Sequence, residues 1–434
     1  MASTYSSTLA KVSRRTKGGD DLRPVVSNAS IAWSDASCVD LAAPATTIPL
    51  LERAIASAPE RAELHAKLGN VFLDLFDFSK AARAFESALR CDPSLIANRI
   101  RLARACNVLG RHAEVLELLG QCGTTDDPRL DAGIRHQRAT ALLGLDRAAE
   151  AEAEFRAALA CNPRDRHACL ELGKLLRNSG RNAQLLSLCD DLAAQGVDHA
   201  QLLLDRGRAL ALCGRMDDAA RLLFDRRRVH GAHLAPPAGF ADIAEFNAAI
   251  AREILGNPFP LSDFPQNEEA NRGSARVHHL MCGARPELIR ALLGAIQSAV
   301  DSHASALARL PDRESDPWLK AMPGRAHLRP WGLIQRQGDF EEWHTHRGGW
   351  LSGVYYVAIP AAVSDAGEGK GCIEFGPPPS IAELCAGRIE RWRQAPKEGT
   401  LLMAPSHYHH HTVPTGFAEH RISFAFDVVS EDRN

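Results

Sequence analysis

Three short pieces of the C-terminal quarter carry residues that could serve one chemical site. They are His344-Thr345-His346, then His410, then Arg421-Ile422-Ser423. Two imidazoles one residue apart, with a third about sixty residues on, suit a divalent metal held on one face with the opposite positions open, as at non-haem Fe(II) centres that bind O₂. The arginine is a planar fork of donors that matches a carboxylate in bidentate fashion, so a carboxylate-bearing co-substrate beside the metal fits the set. An enzyme, rather than a scaffold alone, is the expectation.

Such side chains must be aimed by extended backbone. His344 and His346 precede the apolar run Leu351 to Ile359, and in a strand residues two apart share a face. Arg421 and Ser423 alternate with Ile422, Phe424 and Phe426, giving one polar and one apolar strand face. A polar face turned inward needs a ligand, because an unpaired buried guanidinium costs several kcal/mol. Trp331 to Gln337, Leu351 to Ile359, Cys372 to Phe375, Thr400 to Met403 and Arg421 to Val429 are short, β-rich and bounded by Gly, Pro or Asp. Helical periodicity covers Phe246 to Leu255 and Pro286 to Leu307, for example at Leu288, Leu292, Ile296 and Val300. Strands after leading helices predict a double-stranded β-helix, or jelly roll, with helices packed outside.

The first half is organised differently, with self-similarity near 34 residues. Leu68, Gly69, Phe72, Ala81, Phe85, Ala88 and Pro93 occupy places 7, 8, 11, 20, 24, 27 and 32 of a unit starting at Ala62. Small residues at the eighth and twentieth places let two helices approach, large ones at the eleventh and twenty-fourth fill the space between, and proline closes the second helix. The frame returns with Ala139, Leu142, Ala151, Phe155, Ala158 and Pro163, with Leu172, Gly173, Leu176 and Gly180, and with Gly207, Leu210, Ala219 and Leu223. A weaker copy runs from Ile96 to Asp127, and a partial unit (Leu51, Ala54, Pro59) precedes them all. These units resemble tetratricopeptide repeats. The resemblance implies an α-solenoid that grips a peptide or protein partner on its concave face; the plainer alternative is a solenoid that braces its neighbour or holds a dimer. Residues 1–45 are expected to be a flexible tail, 46–232 the solenoid, 233–325 a linker with supporting helices, and 326–434 the jelly-roll core. The break falls at Leu234-Ala235-Pro236-Pro237-Ala238-Gly239.

Longer motifs carry a second resemblance. His344-Thr-His346-Arg-Gly-Gly-Trp350-Leu-Ser-Gly-Val-Tyr-Tyr356-Val, Gly371-Cys-Ile-Glu-Phe375-Gly-Pro-Pro, Ala404-Pro-Ser406-His-Tyr-His-His410-His-Thr-Val-Pro414 and Arg421-Ile-Ser-Phe-Ala-Phe-Asp-Val428 follow one another in order. Together they resemble bacterial 2-oxoglutarate/Fe(II)-dependent oxygenases that often follow tetratricopeptide repeats. The resemblance implies Fe(II) held by His344, His346 and His410, and 2-oxoglutarate held by Arg421, Ser423 and, by weaker analogy, the Tyr356 hydroxyl. It also implies a dioxygenase that hydroxylates a C–H bond using O₂. The familiar pattern places Asp or Glu where His346 stands, so His346 is either a neutral third ligand or an outer residue behind a water. Among His407, His409, His410 and His411, the flanking Pro405-Ser406 and Thr412-Val413-Pro414 select His410. Trp331 and Trp350 are read as packing residues.

Composition bounds the rest. The chain has 434 residues, 45% hydrophobic and 24% charged, which implies a globular protein too long for one ordinary core. A formal charge of −2 supplies no field for nucleic acid or anionic lipid, and no apolar run approaches a bilayer span. Met1 to Arg23 lacks an apolar h-region, so a secretory signal is not expected; a basic, serine-rich opening could also read as a transit peptide, which Asp20 and Asp21 argue against. The 11 cysteines show no CxxC and no paired spacing, and Cys91, Cys106, Cys161, Cys169, Cys189 and Cys213 sit at or near apolar helix positions, so a reducing cytoplasm is expected. Two other functions fit the same residues: a hydroxylase of a small metabolite that uses the repeats for assembly, and a catalytically inactive binding scaffold.

Overall fold

Helices from Pro44 to Leu223 pack in consecutive pairs, beginning with Ala62–Asp74 against Phe78–Cys91 and ending with Ala200–Leu212 against Met216–Leu223. The computed structural model describes residues 31–34, 44–123, 125–261, 270–364, 369–414, 416 and 418–431. Close approach within a pair explains the small residues of the repeat: a side chain at Gly69 would start 2.8 Å from the Phe85 ring. Each hairpin turns through one residue in the left-handed region, at Phe76, Gly110, Asp146, Gly180 and Gly214. Glycine reaches that conformation without steric cost, and three of the five positions are glycine. Ala81, Phe85, Ala88, Ala139, Ala151, Phe155, Leu172 and Leu176 are fully buried between helices. The cysteines among the described residues are free, with Cys106, Cys169 and Cys189 buried in these layers and Cys91 and Cys213 exposed.

The C-terminal part is rich in strands. They are β1 (Ala32–Trp33), β2 (His230–His233), β3 (Pro260–Leu261), β4 (Asn271–Arg272), β5 (Ala275–Val277), β6 (Arg325–Gln335), β7 (Phe340–Glu341), β8 (Leu351–Ala358), β9 (Ile373–Phe375), β10 (Trp392–Gln394), β11 (Thr400–Pro405), β12 (His410–Thr412) and β13 (Arg421–Ser430). Among the described residues, the large sheet has the order β2-β11-β8-β13-β6-β5-β3, with β1 beside β6. A smaller sheet, β10-β9-β12, carries His410, and β4 pairs with β7. β13 lies between β8 and β6 and is buried from Arg421 to Val428, which suits its run of branched and aromatic residues. The helices Ile243–Leu255 and Pro286–Leu307 contribute Phe246, Ile250, Leu292 and Ile296 to the same core.

The expected flexible tail over 1–45 lies largely outside the described residues. Within it, Ala32–Trp33 pairs in parallel with β6, and the Trp33 indole donates to Asp301. The helical array ends at Leu223, nine residues before the expected boundary at 232, because the next segment joins the sheets. Phe224 stacks on Phe375 of β9 and meets the Tyr408 ring edge-on; the Asp225 amide donates to the Tyr408 hydroxyl; and β2 runs antiparallel to β11. One apolar cluster therefore runs from Leu203 in the last repeat to Val428 in β13. Phe224→Ala should cost about 3–5 kcal/mol, the range for truncating a buried phenylalanine. Denaturant unfolding followed by far-UV and near-UV signals would measure it, and a change below 1 kcal/mol, the scale of an ordinary surface substitution, would show that Phe224 does not anchor the junction.

Candidate metal centre

Two backbone hydrogen bonds set the geometry. His344 and His410 face each other as an antiparallel bridge, each amide donating to the other's carbonyl at 3.0 and 3.1 Å. The His346 amide donates to the Ser406 carbonyl at 2.8 Å, which ties the HxH segment to the end of β11. The ring centroids of His344, His346 and His410 lie 4.3 to 5.1 Å apart, and one ligating nitrogen from each lies within 4.8 Å of the others. Among the described residues this is the one such cluster of three metal-ligating side chains.

What lies behind each ring decides its tautomer. Nδ1 of His344 meets the Glu342 carbonyl at 2.7 Å, Nδ1 of His410 meets the Tyr408 carbonyl at 3.2 Å, and Nδ1 of His346 meets Oδ1 of Asp427 at 2.6 Å. An oxygen acceptor behind Nδ1 holds the proton there and leaves the Nε2 lone pair for a metal. Nε2 of His344 and Nε2 of His346 then face each other at 3.2 Å. Two lone pairs so placed repel unless a cation lies against them, so the donor set fits a divalent metal. Burial, followed by the neighbouring His346, pushes the His344 imidazole down to about 3, and burial with His344 and His346 holds His410 well below its ordinary range. Both are therefore neutral at neutral pH, as ligands must be.

The other histidines of the 407–411 run point elsewhere. His409 meets the guanidinium of Arg208 at 2.7 Å, His411 lies 3.4 Å from Glu374, and His407 is buried against Tyr408.

Arg421 and Ser423 line a cavity of about 70 Å³ together with the three clustered histidines. Arg421 is 2% exposed, donates to Oε1 of Gln335 at 2.7 Å, and has its guanidinium 5.5 Å from the Tyr356 ring. No carboxylate among the described residues pairs with it at salt-bridge distance, and burial lowers its pKa. Arg421 Nε, Ser423 Oγ, Tyr356 Oη and Gln335 Nε2 are all buried without a hydrogen-bond partner among the described residues. Buried polar groups left so are rare in folded proteins. Donors in this number around a cationic centre fit a carboxylate.

Two neighbours of the site escaped the sequence reading. Asp427 accepts from His346, from Ser352 at 2.7 Å and from Arg329 at 2.6 Å. Burial works against its charge, but His346 and Arg329 more than offset it and hold the carboxylate below its usual range. The signal was available, since positions 421, 423, 425 and 427 share one strand face and an aspartate on that face needs partners. Trp331, read as packing, stacks on His346 with ring centroids 5.5 Å apart and lines the cavity. Trp350 does pack: it stacks on Trp318, and each indole donates to the other's carbonyl.

Residues 329–427 match the family model described as "Putative 2OG-Fe(II) oxygenase", and residues 48–96 match that of the tetratricopeptide repeat. The chain thus joins tetratricopeptide repeats to a C-terminal oxygenase-type domain, in the order the motifs imply. Solved structures similar to its helical half include the MamA protein (19% identity, 38% of this chain and 88% of that one, TM-score 0.30). Others are YrrB, a repeat protein with an unusual peptide-binding site (19%, 40% and 88%, 0.30), and PilF of Pseudomonas aeruginosa (21%, 41% and 88%, 0.34). No curated protein matches the chain. No helix among the described residues is long and apolar enough to cross a membrane.

Proposed function

We propose that the chain is an Fe(II)- and 2-oxoglutarate-dependent dioxygenase that hydroxylates a peptide or protein side chain presented by the repeats. In this reading the curled large sheet and β10-β9-β12 form a double-stranded β-helix. Residues 46–232 serve recognition, 326–434 catalysis, and 233–325 brace the two. His344, His346 and His410 hold the metal, while Arg421, Ser423 and Tyr356 hold the distal carboxylate of the co-substrate. The observation that carries the proposal is the arrangement of three imidazoles whose Nδ1 atoms are each committed to an oxygen, with one ring nitrogen from each within 4.8 Å of the others and the Nε2 atoms of His344 and His346 face to face.

When bound, iron and 2-oxoglutarate supply oxidative decarboxylation with O₂ and hydroxylation of a C–H bond. The chain's own residues position and shield. Asp427 fixes the His346 ring and its tautomer from behind. Gln335 orients the Arg421 fork, and Trp331, Phe375 and Leu333 wall the cavity against water. Asp427 also accounts for the histidine standing where such sites place a carboxylate. It keeps one negative charge beside the site, one atom shell further out.

Anaerobic titration of the full chain with Fe(II) and 2-oxoglutarate tests the proposal, with the charge-transfer absorbance of the chelate as readout. Saturation at one equivalent is expected, and its loss in His410→Ala. Iron- and 2-oxoglutarate-dependent succinate formation separates an active enzyme from a scaffold. Saturable metal binding that survives loss of both His344 and His410 would remove the assignment.

A further inference from the structure

A second cavity, of about 340 Å³, lies between the repeats and the loop that follows His346. Arg129, Arg164, Arg166 and Arg347 line it, with Asp198 as its one acidic residue. Four guanidiniums against one carboxylate make it strongly cationic in a chain whose formal charge is −2. Asp198 is already engaged by Arg164 at 3.3 Å. Arg166 has no acidic partner at salt-bridge distance among the described residues, and burial with the nearby Arg329 lowers its pKa. Both guanidiniums close on Gly348: a side chain there would start 2.8 Å from Arg329 Nη2 and 3.3 Å from Arg166 Nη1. Arg329 pairs with Asp427 at 2.6 Å, whereas Arg166 has only the longer-range attraction of Asp165 and Asp427.

The backbone adds to this field. Of the helices that begin near the cavity, Pro128–Gly144 and Arg166–Asn178 carry aspartate caps, Asp127 and Asp165, whereas the third, Ala200–Leu212, is capped by His199 and brings its positive dipole end to the lining without a carboxylate. His199, which caps the third helix, accepts the Leu202 amide on Nδ1, so its proton resides on Nε2. That Nε2–H is buried and has no hydrogen-bond partner. Arg129 comes from one repeat and Arg164 and Arg166 from the start of the next, so the lining draws on adjacent repeats.

We propose that this cavity is the docking site for an acidic peptide segment, whose carboxylates are taken by Arg166 and the adjoining arginines. Charge complementarity carries the choice of ligand, and the guanidinium fork suits carboxylates in pairs. The proposal does not depend on chemistry at the histidine cluster, so binding and turnover can fail separately.

The test uses the full chain and a fluorescein-labelled hexaglutamate, read by anisotropy, with hexaglutamine as control and inorganic phosphate as competitor. Expected are saturable hexaglutamate binding that weakens as salt rises, no binding of hexaglutamine, and at least about tenfold weaker binding in Arg166→Gln. A thermal-shift measurement guards against misfolding. Free Arg166→Gln should melt no lower than the parent, since it loses a like-charge contact, and it should lose the upshift that hexaglutamate gives the parent. Binding of hexaglutamate that Arg166→Gln leaves unchanged would overturn the assignment. So would the absence of saturable hexaglutamate binding; a thermal upshift with millimolar phosphate in that case would mark a site for a small phosphate ligand instead.

Discussion

Arg421→Ala should abolish saturable 2-oxoglutarate binding while leaving the free protein at least as stable as the parent. The guanidinium is 2% exposed, bonded to Gln335, and has no carboxylate at salt-bridge distance among the described residues. Removing one partner of a buried, hydrogen-bonded charge pair costs about 3 kcal/mol or more, or at least about 100-fold in Kd. In the free protein the same guanidinium is a liability, because a buried charge without an opposite partner loses hydration and gains no ion pair. Two measurements therefore move in opposite directions, which a purely structural arginine would not give. The co-substrate Kd should rise by at least about 100-fold by isothermal titration, and the melting temperature without ligand should hold or rise. Arg421→Met, which keeps most of the side-chain volume, controls for a cavity. If Arg421→Ala lowers stability and leaves the 2-oxoglutarate affinity unchanged, the residue is a core polar brace and the carboxylate assignment fails.

Much of this arrangement could be read from the chain because strand alternation and repeat spacing are local properties. Arg421 and Ser423 were assigned to one face by period two alone, and the structure brings both to the cavity that His344, His346 and His410 line. The five strand segments named from composition correspond to β6, β8, β9, β11 and β13, with ends displaced by a few residues. The strands missed were β2, β5, β10 and β12 and the two-residue pairings, which are too short for a pattern and exist because a distant partner fixes them. The last repeat helix ends short of residue 232 for the same reason. Nothing local in Phe224-Asp225 announces that they will pack on Phe375 and Tyr408, about 150 to 180 residues away. Selecting His410 from its run required the flanking motif, because the identity of neighbouring histidines carries no direction. The structure separates them by strand pairing, since only His410 faces His344 across the bridge while His409 turns to Arg208. The cationic cavity was beyond reach altogether, because Arg166 and Arg329 meet only when the solenoid lies against the loop at Gly348.

The second large effect is expected at Asp427. Asp427→Asn keeps the shape of the side chain but removes the charge behind His346, and an amide can present either its oxygen or its NH₂ to Nδ1. Presenting NH₂ would draw the His346 proton to Nε2 and block the lone pair. Loss of an outer-shell carboxylate behind a ligating histidine costs about 10- to 100-fold in metal affinity. Fe(II) binding should weaken over that range, whereas Arg421→Ala should leave it nearly unchanged and Asp427→Asn should leave co-substrate affinity at saturating metal nearly unchanged. That crossed pattern distinguishes support of the metal from general damage to the sheets. Ser352 and Arg329 also lean on Asp427, so some loss of stability accompanies the change. Asp427→Glu, with its longer arm, should recover stability more than metal affinity, because the distance to Nδ1 is set by β13 and not by charge. Equal Fe(II) affinity in parent and Asp427→Asn would mean that His346 is held by packing alone, with Trp331 as the obvious surface. The carboxylate would then be a structural partner of Arg329 and no part of the metal centre.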